Sequence, residues 1–296
     1  MDAVFYLYNS LVFISGVFIG SFLNVVADRL EKGGPILVGR SKCEFCDHEL
    51  GPKELIPVAS FVAQGGKCSK CKVSLSILYP ISELLTGAVF VAVAIWLKVF
   101  VPASTAQFIT FAFYLVISAF LIIIFLSDLK YMIVPDKIVF PAIGLAAIYQ
   151  IGMTIYASYD LYVRLSSDPF GKYLLKAGLW KNQSIYLFSE LGILFLSGLG
   201  IALFFLLLIA ITKGRGMGFG DVKLGFLVGL MAGFQNSLVL LFTSFLLGAL
   251  MSIVLILVKR KTMKDAVPFG PFIITAFYIS IFFGNFLVQS YLKMLH

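Results

Sequence analysis

Long apolar runs, separated by short polar connections, dominate the chain. They cover roughly residues 4–27, 78–100, 106–127, 138–157, 187–211, 224–235, 237–258 and 268–292. Most approach the roughly 20 residues a helix needs to cross the hydrocarbon core. The pattern therefore predicts an all-α polytopic membrane protein with about eight transmembrane helices. Ahead of the first run stands only Asp2, and behind it come Asp28, Arg29, Glu31 and Lys32. That polarity is the reverse of a cleavable signal peptide, so the run reads as a retained span. Residues 224–258 are mostly apolar throughout, too long for one ordinary helix and short for two. A break at Phe234-Gln235-Asn236 gives a first helix only about 18 Å long, followed by one of normal length. The break also keeps Lys259, Arg260, Lys261 and Lys264 on the same side as the other basic connections. The start of the short helix, near Asp221, is then expected below the membrane surface.

Composition agrees with this reading. The 296 residues are 60% hydrophobic and 13% charged, whereas a soluble domain carries about 25% charged residues. The net charge of +8 could suggest nucleic acid, but its distribution argues otherwise. With the amino terminus outside, 17 of the 23 Lys and Arg fall in the inside connections 28–75, 128–137, 212–223 and 259–264. The positive-inside rule accounts for that asymmetry, so the partner implied is the lipid bilayer, with no nucleic acid. Residues 1–27 then form a first transmembrane helix, 28–77 a small cytoplasmic loop domain, and 78–296 the remaining membrane helices. The connection at about 158–186 lies outside and reads as an insertion or a partner surface.

All four cysteines sit in the first inside connection, at Cys43, Cys46, Cys68 and Cys71. Each C-x2-C knuckle offers two thiolates to one ion, and two knuckles complete a tetrahedral zinc site. Disulfides would need an oxidising compartment, which an inside loop lacks; an iron–sulfur cluster is the other four-cysteine reading. Four thiolates leave no open position, so a structural zinc is expected, with His48 a surface residue. Lys42, Lys67, Lys70 and Lys72 beside the thiols favour their ionised form.

Two carboxylates are expected at one membrane face. Asp128 closes the third run, and Asp221 opens the sixth within "GFGDVKL". Ionisable residues at membrane depth are costly and face an interior or a water-filled cavity. Two aspartates sharing one site and one proton can split their roles, one activating water and the other donating to a carbonyl. Gly218 and Gly220 would let a substrate strand approach the backbone, and Lys223 belongs to the same loop. The competing reading makes "GRGMGFG" a turn and Asp221 a helix cap. Asp136, after Pro135, reads as a helix start or surface residue. Glu83 falls about one turn into the second span, where it either pairs with a cation or belongs to a polar site.

These blocks together resemble the bacterial type IV prepilin peptidases, bifunctional leader peptidases and N-methyltransferases of the GxGD class of membrane aspartic proteases. "GSFLNVVADR" at 20–29, the cysteine loop, "YPISELLTG" at 79–87, "SDLKYMIVPD" at 127–136, "GFGDVKL" at 218–224 and "VPFGPF" at 267–272 follow in family order. The resemblance implies that Asp128 and Asp221 are the catalytic pair. It also implies that the cysteine loop serves methyl transfer from S-adenosylmethionine. The substrates implied are prepilin or pseudopilin precursors with a basic leader and an apolar helix, cut at the cytoplasmic face of the bacterial inner membrane. The new amino terminus would then be methylated. Asp47, Glu49, Glu54 or Glu83 would attract the basic leader, and no motif places the cofactor site.

Alternatives remain at this stage. Leu78 stands where the family often carries Arg, which leaves open a peptidase that has lost methylation. A transporter would hold its carboxylates near the bilayer midplane and show internal repeats. A secretion-assembly component would not need its aspartates at all.

Overall fold

The computed structural model describes residues 2–32, 39–43, 45–99, 104–214, 216–258 and 267–295. Arg215 and the basic cluster Lys259, Arg260, Lys261 and Lys264 lie outside the described residues. Helices are α1 (Asp2–Lys32), α2 (Ala59–Ala63), α3 (Leu78–Trp96), α4 (Thr105–Tyr131), α5 (Asp136–Ser167), α6 (Pro169–Lys176), α7 (Leu179–Thr212), α8 (Phe219–Leu257) and α9 (Gly270–Leu295). Among the described residues seven helices are long and apolar enough to cross a membrane, all of these except α2 and α6. The chain forms two compact units, residues 1–135 and 136–296.

In the first unit α1 packs closely on α3. A Cβ on Gly16 would lie 2.7 Å from the Gly87 Cα, and one on Gly20 would lie 2.9 Å from the Glu83 Cα. Small residues four apart let two backbones touch, which is how helices associate where lipid removes the hydrophobic driving force. One turn further along, buried Asn24 and Ser82 bond reciprocally: Asn24 Nδ2 donates to Ser82 Oγ at 2.7 Å, and Ser82 Oγ to Asn24 Oδ1 at 2.9 Å. Helix α4 starts on the Ser104 side chain, which accepts from the Gln107 N–H at 3.2 Å. It stops where Met132 turns left-handed at φ 56 and donates to the Asp128 carbonyl.

The second unit contains the break expected at 234–236. Gly233 interrupts α8 with φ 76 and ψ 173, a conformation essentially reserved for glycine. A Cβ on Gly225 would lie 2.7 Å from the Phe205 ring, and the Phe245 ring centroid is 6.3 Å from the same ring. Positions 225 and 245 of a straight helix would stand about 30 Å apart, so the chain folds back at Gly233. Seven assigned helices therefore supply eight apolar segments. Phe205, Phe245, Phe269 and Phe272 form an aromatic stack that ties α7, α8 and α9.

The connection at 158–186 is not a loop. Helix α5 runs on to Ser167 and α7 begins at Leu179, with α6 between them. Asp168 caps α6 by accepting from the Gly171 N–H at 3.1 Å, and Pro169 suits its first turn. Ser158 and Ser184 share a 2.7 Å hydrogen bond and the Trp180 indole donates to the Ser158 carbonyl. Apolar patterning ends before this segment, but helix propensity and caps carry the helices past it.

Candidate active site and metal centre

The four thiols converge. Cys43, Cys46, Cys68 and Cys71 sulfur atoms all lie within 4.8 Å of one another, with Cys43–Cys71 at 3.8 Å and Cys46–Cys68 at 4.0 Å. Zinc–sulfur bonds of about 2.3 Å in a tetrahedron put sulfurs roughly 3.8 Å apart, whereas a disulfide needs about 2.05 Å. The spacing therefore fits a four-coordinate metal. Two matching knuckles produce it. The Cys43 N–H donates to the His48 carbonyl and the Cys68 N–H to the Val73 carbonyl, both at 2.9 Å. The residue after each second cysteine, Asp47 at φ 53 and Lys72 at φ 59, is left-handed and reverses the chain.

The thiols compete for charge. Backbone N–H groups of Cys71 and Lys70 hold the Cys68 thiol down to about 6. The Cys46 thiol also feels the His48 backbone, but burial and its three neighbouring sulfurs push it up to about 12. Four thiolates at this distance need a cation, and zinc would supply two positive charges. Glu54 pins the module from behind. Its carboxylate accepts from the Gly51 N–H at 2.7 Å and from the Ser69 hydroxyl, with His48 Nε2 3.6 Å away. The Ser69 hydroxyl first, then Gly51 and His48, hold the Glu54 carboxyl below its ordinary range. Glu49 is likewise engaged, by Arg40 at 3.1 Å and Lys42 at 3.7 Å. Of the acidic residues expected to meet a leader in this module, Asp47 and Glu49 are exposed, and Glu49 is already paired.

Glu83 is buried on α3, at 7% exposure, and its carboxylate reaches out of the helix to the loop. The Val58 N–H donates to Glu83 Oε2 at 2.7 Å. Val58 itself is strained, at φ 58 and ψ −51, with the Ala59 N–H bonded back to the Pro57 carbonyl at 2.5 Å. That is a γ-turn of the rare hand, and the Glu83 carboxylate anchors its central N–H. Among the described residues no ion pair involves Glu83.

Asp128 is buried, at 5% exposure, in the last turn of α4 in the first unit. Asp221 is buried, at 7%, in the first turn of α8 in the second. The Gly218 N–H donates to Asp221 Oδ2 at 3.2 Å and the Asp221 N–H to the Gly218 carbonyl at 3.1 Å. Asp221 thus closes a capping box on its own glycine loop, which the helix-cap reading anticipates. Its burial is the feature that a surface cap does not need. Gly220 lies within the same turn. Lys223 bonds Asp136 at 2.6 Å and stands over the Phe140 ring, joining the starts of α5 and α8. Asp136 is the first residue of α5, as a helix start should be.

Sequence reasoning overlooked one cluster. Asp28, at the end of α1, accepts from Lys130 Nζ at 2.8 Å, Tyr131 Oη at 3.0 Å and Tyr79 Oη at 3.2 Å. Lys130 also lies over the Tyr79 ring. The cluster clamps α1, α3 and α4 together beside Asp128. Its only sequence signal is that Asp28, Tyr79 and Lys130 each fall inside one of the family-ordered blocks.

Fold and site together define a polytopic membrane protein with buried carboxylates at helix ends and a four-cysteine cluster able to hold a metal. Comparison with known proteins narrows this class. The chain matches the Bacterial Peptidase A24 N-terminal domain over residues 14–97 and the Type IV leader peptidase family over residues 148–253. A Bacillus subtilis (strain 168) protein named prepilin leader peptidase/N-methyltransferase is 30% identical over 96% of this chain and 98% of its own length. Proteins of the same name from Aeromonas hydrophila and Pseudomonas aeruginosa are 29% and 27% identical, covering 97% and 94% of this chain and 94% and 91% of their own lengths. No solved structure matches the chain. The chain belongs to the type IV leader peptidase family.

Proposed function

We propose that this protein is a prepilin leader peptidase whose two buried aspartates, Asp128 and Asp221, act as one dyad, and that it also N-methylates the amino terminus it creates. The observation that carries the first half is a carboxylate buried at a helix start on a two-glycine loop. Such burial is expensive unless the group has work to do or a partner to share it. Asp221, at a helix N-terminus, is placed to carry negative charge, and Asp128, at a helix C-terminus, to carry the proton. The charged member takes a proton from water as the water oxygen bonds to the scissile carbonyl carbon, and the protonated member donates to the carbonyl oxygen. The C–N bond then breaks as Asp221 passes the proton it took from water to the departing nitrogen, and Asp128 recovers a proton from the hydroxyl of the tetrahedral intermediate, which resets the pair. Gly218 and Gly220 leave room for the extended substrate strand, and Lys223, tied to Asp136, fixes the loop without neutralising Asp221 directly.

The relatives' names support methyl transfer as the second activity, with S-adenosylmethionine as donor. Zinc held by Cys43, Cys46, Cys68 and Cys71 would give the loop module a fixed shape. Substrates are prepilin or pseudopilin precursors with a basic leader and an apolar helix. The excess of Lys and Arg in alternate connections supports a bacterial inner-membrane orientation with the cysteine module and both aspartates at the cytoplasmic face. The test uses purified protein and one precursor. Asp128→Asn and Asp221→Asn should each lower cleavage at least about 10³-fold, the scale of losing a catalytic group, while leaving zinc content intact. Cleavage by either variant at the wild-type rate would refute the dyad.

A further inference from the structure

Between Glu54 and Gln64 the chain reads "LIPVASFVA", nine residues with no charge and with Ser60 as the one hydroxyl. In a loop surrounded by water such a run is out of place, and at nine residues it is too short to cross a bilayer as a helix. The structure shows where it goes. The Val58 N–H reaches Glu83 on α3, and α3 touches α1 at that level, since a Cβ on Gly20 would lie 2.9 Å from the Glu83 Cα. Gly20 comes eight residues before Asp28, the first charge after the apolar run of α1, which is about 12 Å of helix. Ile56 and Val58 reach further. With Phe13, Val17 and Phe18 of α1 and Leu84 of α3 they line a groove of about 250 Å³. The turn therefore stands beside the middle of the apolar run of α1, not beyond its end.

Irregular backbone at that depth must satisfy its own polar groups, because hydrocarbon offers none. This turn does so. Pro57 has no N–H. The Val58 N–H goes to the Glu83 carboxylate at 2.7 Å, the Ala59 N–H to the Pro57 carbonyl at 2.5 Å and the Ser60 N–H to the Ile56 carbonyl at 3.0 Å. The side chains turned outward are apolar: Ile56 is 46% exposed and Val62 71%, beside Phe18 of α1 at 57%. Charge returns only at the flanks, with exposed Lys53 before the segment and exposed Lys67 after it, where lipid phosphates can meet them. We propose that residues 55–63 form a re-entrant wedge among the acyl chains of one leaflet, that it anchors the four-cysteine module to the bilayer, and that Glu83 permits the insertion. The groove beside the wedge is walled by apolar side chains alone, which suits an acyl chain and not a headgroup. The left-handed Val58 reverses the chain at the tip, so both flanks return to the surface. The wedge requires only that α1 and α3 cross the membrane, whatever chemistry the aspartates perform.

Fluorescence tests the depth. Trp96 and Trp180 are the two tryptophans of the chain; changing both to Phe and adding Val62→Trp places a single fluorophore on the wedge. The full-length, zinc-loaded protein is set in lipid nanodiscs with phosphatidylcholine brominated either halfway along its chains or near the headgroup. Mid-chain bromine should quench at least as strongly as bromine near the headgroup, because about 12 Å of depth approaches the centre of a core roughly 30 Å thick. Glu83→Ala strands the Val58 N–H and should reduce mid-chain quenching about twofold or more. Glu83→Gln still accepts that hydrogen bond and should keep the quenching. Both variants are read on protein that retains its zinc, which shows the module folded. Emission typical of indole in water, unquenched by either lipid, would place the segment in water and overturn the wedge. Quenching by near-headgroup bromine alone would reduce it to a surface contact, and full quenching in Glu83→Ala would remove the part given to Glu83; either result overturns the proposal. Quenching that vanishes when a peptide with an apolar helix is added would give the groove to that helix and overturn lipid as its occupant.

Discussion

Asp28 and Lys130 show how much a single pair can govern. Their side chains are only 14% and 12% exposed, so removing one partner leaves a nearly buried charge, at a cost of about 3–5 kcal/mol. Lys130→Met should therefore destabilise the protein markedly, and Asp28→Asn with Lys130→Met should cost less than the two single changes summed. Chemical unfolding of the four proteins in a double-mutant cycle checks this, and strict additivity would contradict it. Neither residue stood out in the sequence as a pair, because 102 positions separate them and no local spacing encodes their meeting. Asp221 was legible for the opposite reason. Its glycines, its position at the start of an apolar run and its burial belong to one short segment. Glu83 fell between these cases: its depth in the span marked it as unusual, whereas the loop N–H that holds it could not be seen.

At the scale of elements, most of the helices could be read from hydrophobic runs because lipid demands continuous apolar length. The break in α8 was placed within a residue of Gly233, since neither one span nor two full ones fit the run. Gly233→Ala should cost about 1–3 kcal/mol, because φ 76 with ψ 173 is a conformation that only glycine adopts without strain. A thermal melt that did not move would argue against the fold-back. The extension of α5 and α7 through 158–186 was missed because caps and propensity, not hydrophobic length, determine it. The cysteine module is also held by Glu54, through Gly51 and Ser69. Its carboxyl is held low by Ser69, Gly51 and His48, so its contribution is complete above the ordinary value of 4.5 and disappears as pH falls through the lower folded value. Glu54→Gln should weaken zinc about tenfold, as loss of a supporting contact commonly does, and a competition titration with a chelator measures it. An unchanged zinc affinity would show that the knuckles need no support from behind.

At the scale of the whole molecule, the two activities proposed call on different parts of the chain, cleavage on the aspartates of α4 and α8 and methylation on the cysteine module. Stripping zinc should abolish methylation and spare cleavage, because the aspartates in α4 and α8 lie outside the cysteine module. Equal loss of cleavage and methylation on chelation would show that the activities share the module. The resemblance across the chain came from ordered blocks, and relatives of 27–30% identity over 94–96% of the chain bear out the family. The central claim is tested most directly by the intact mass of a prepilin precursor after incubation with the purified protein and S-adenosylmethionine. The account predicts a product lacking its leader and heavier by one methyl group, with the precursor left whole by Asp221→Asn. A precursor that the wild-type protein leaves at full mass would contradict it.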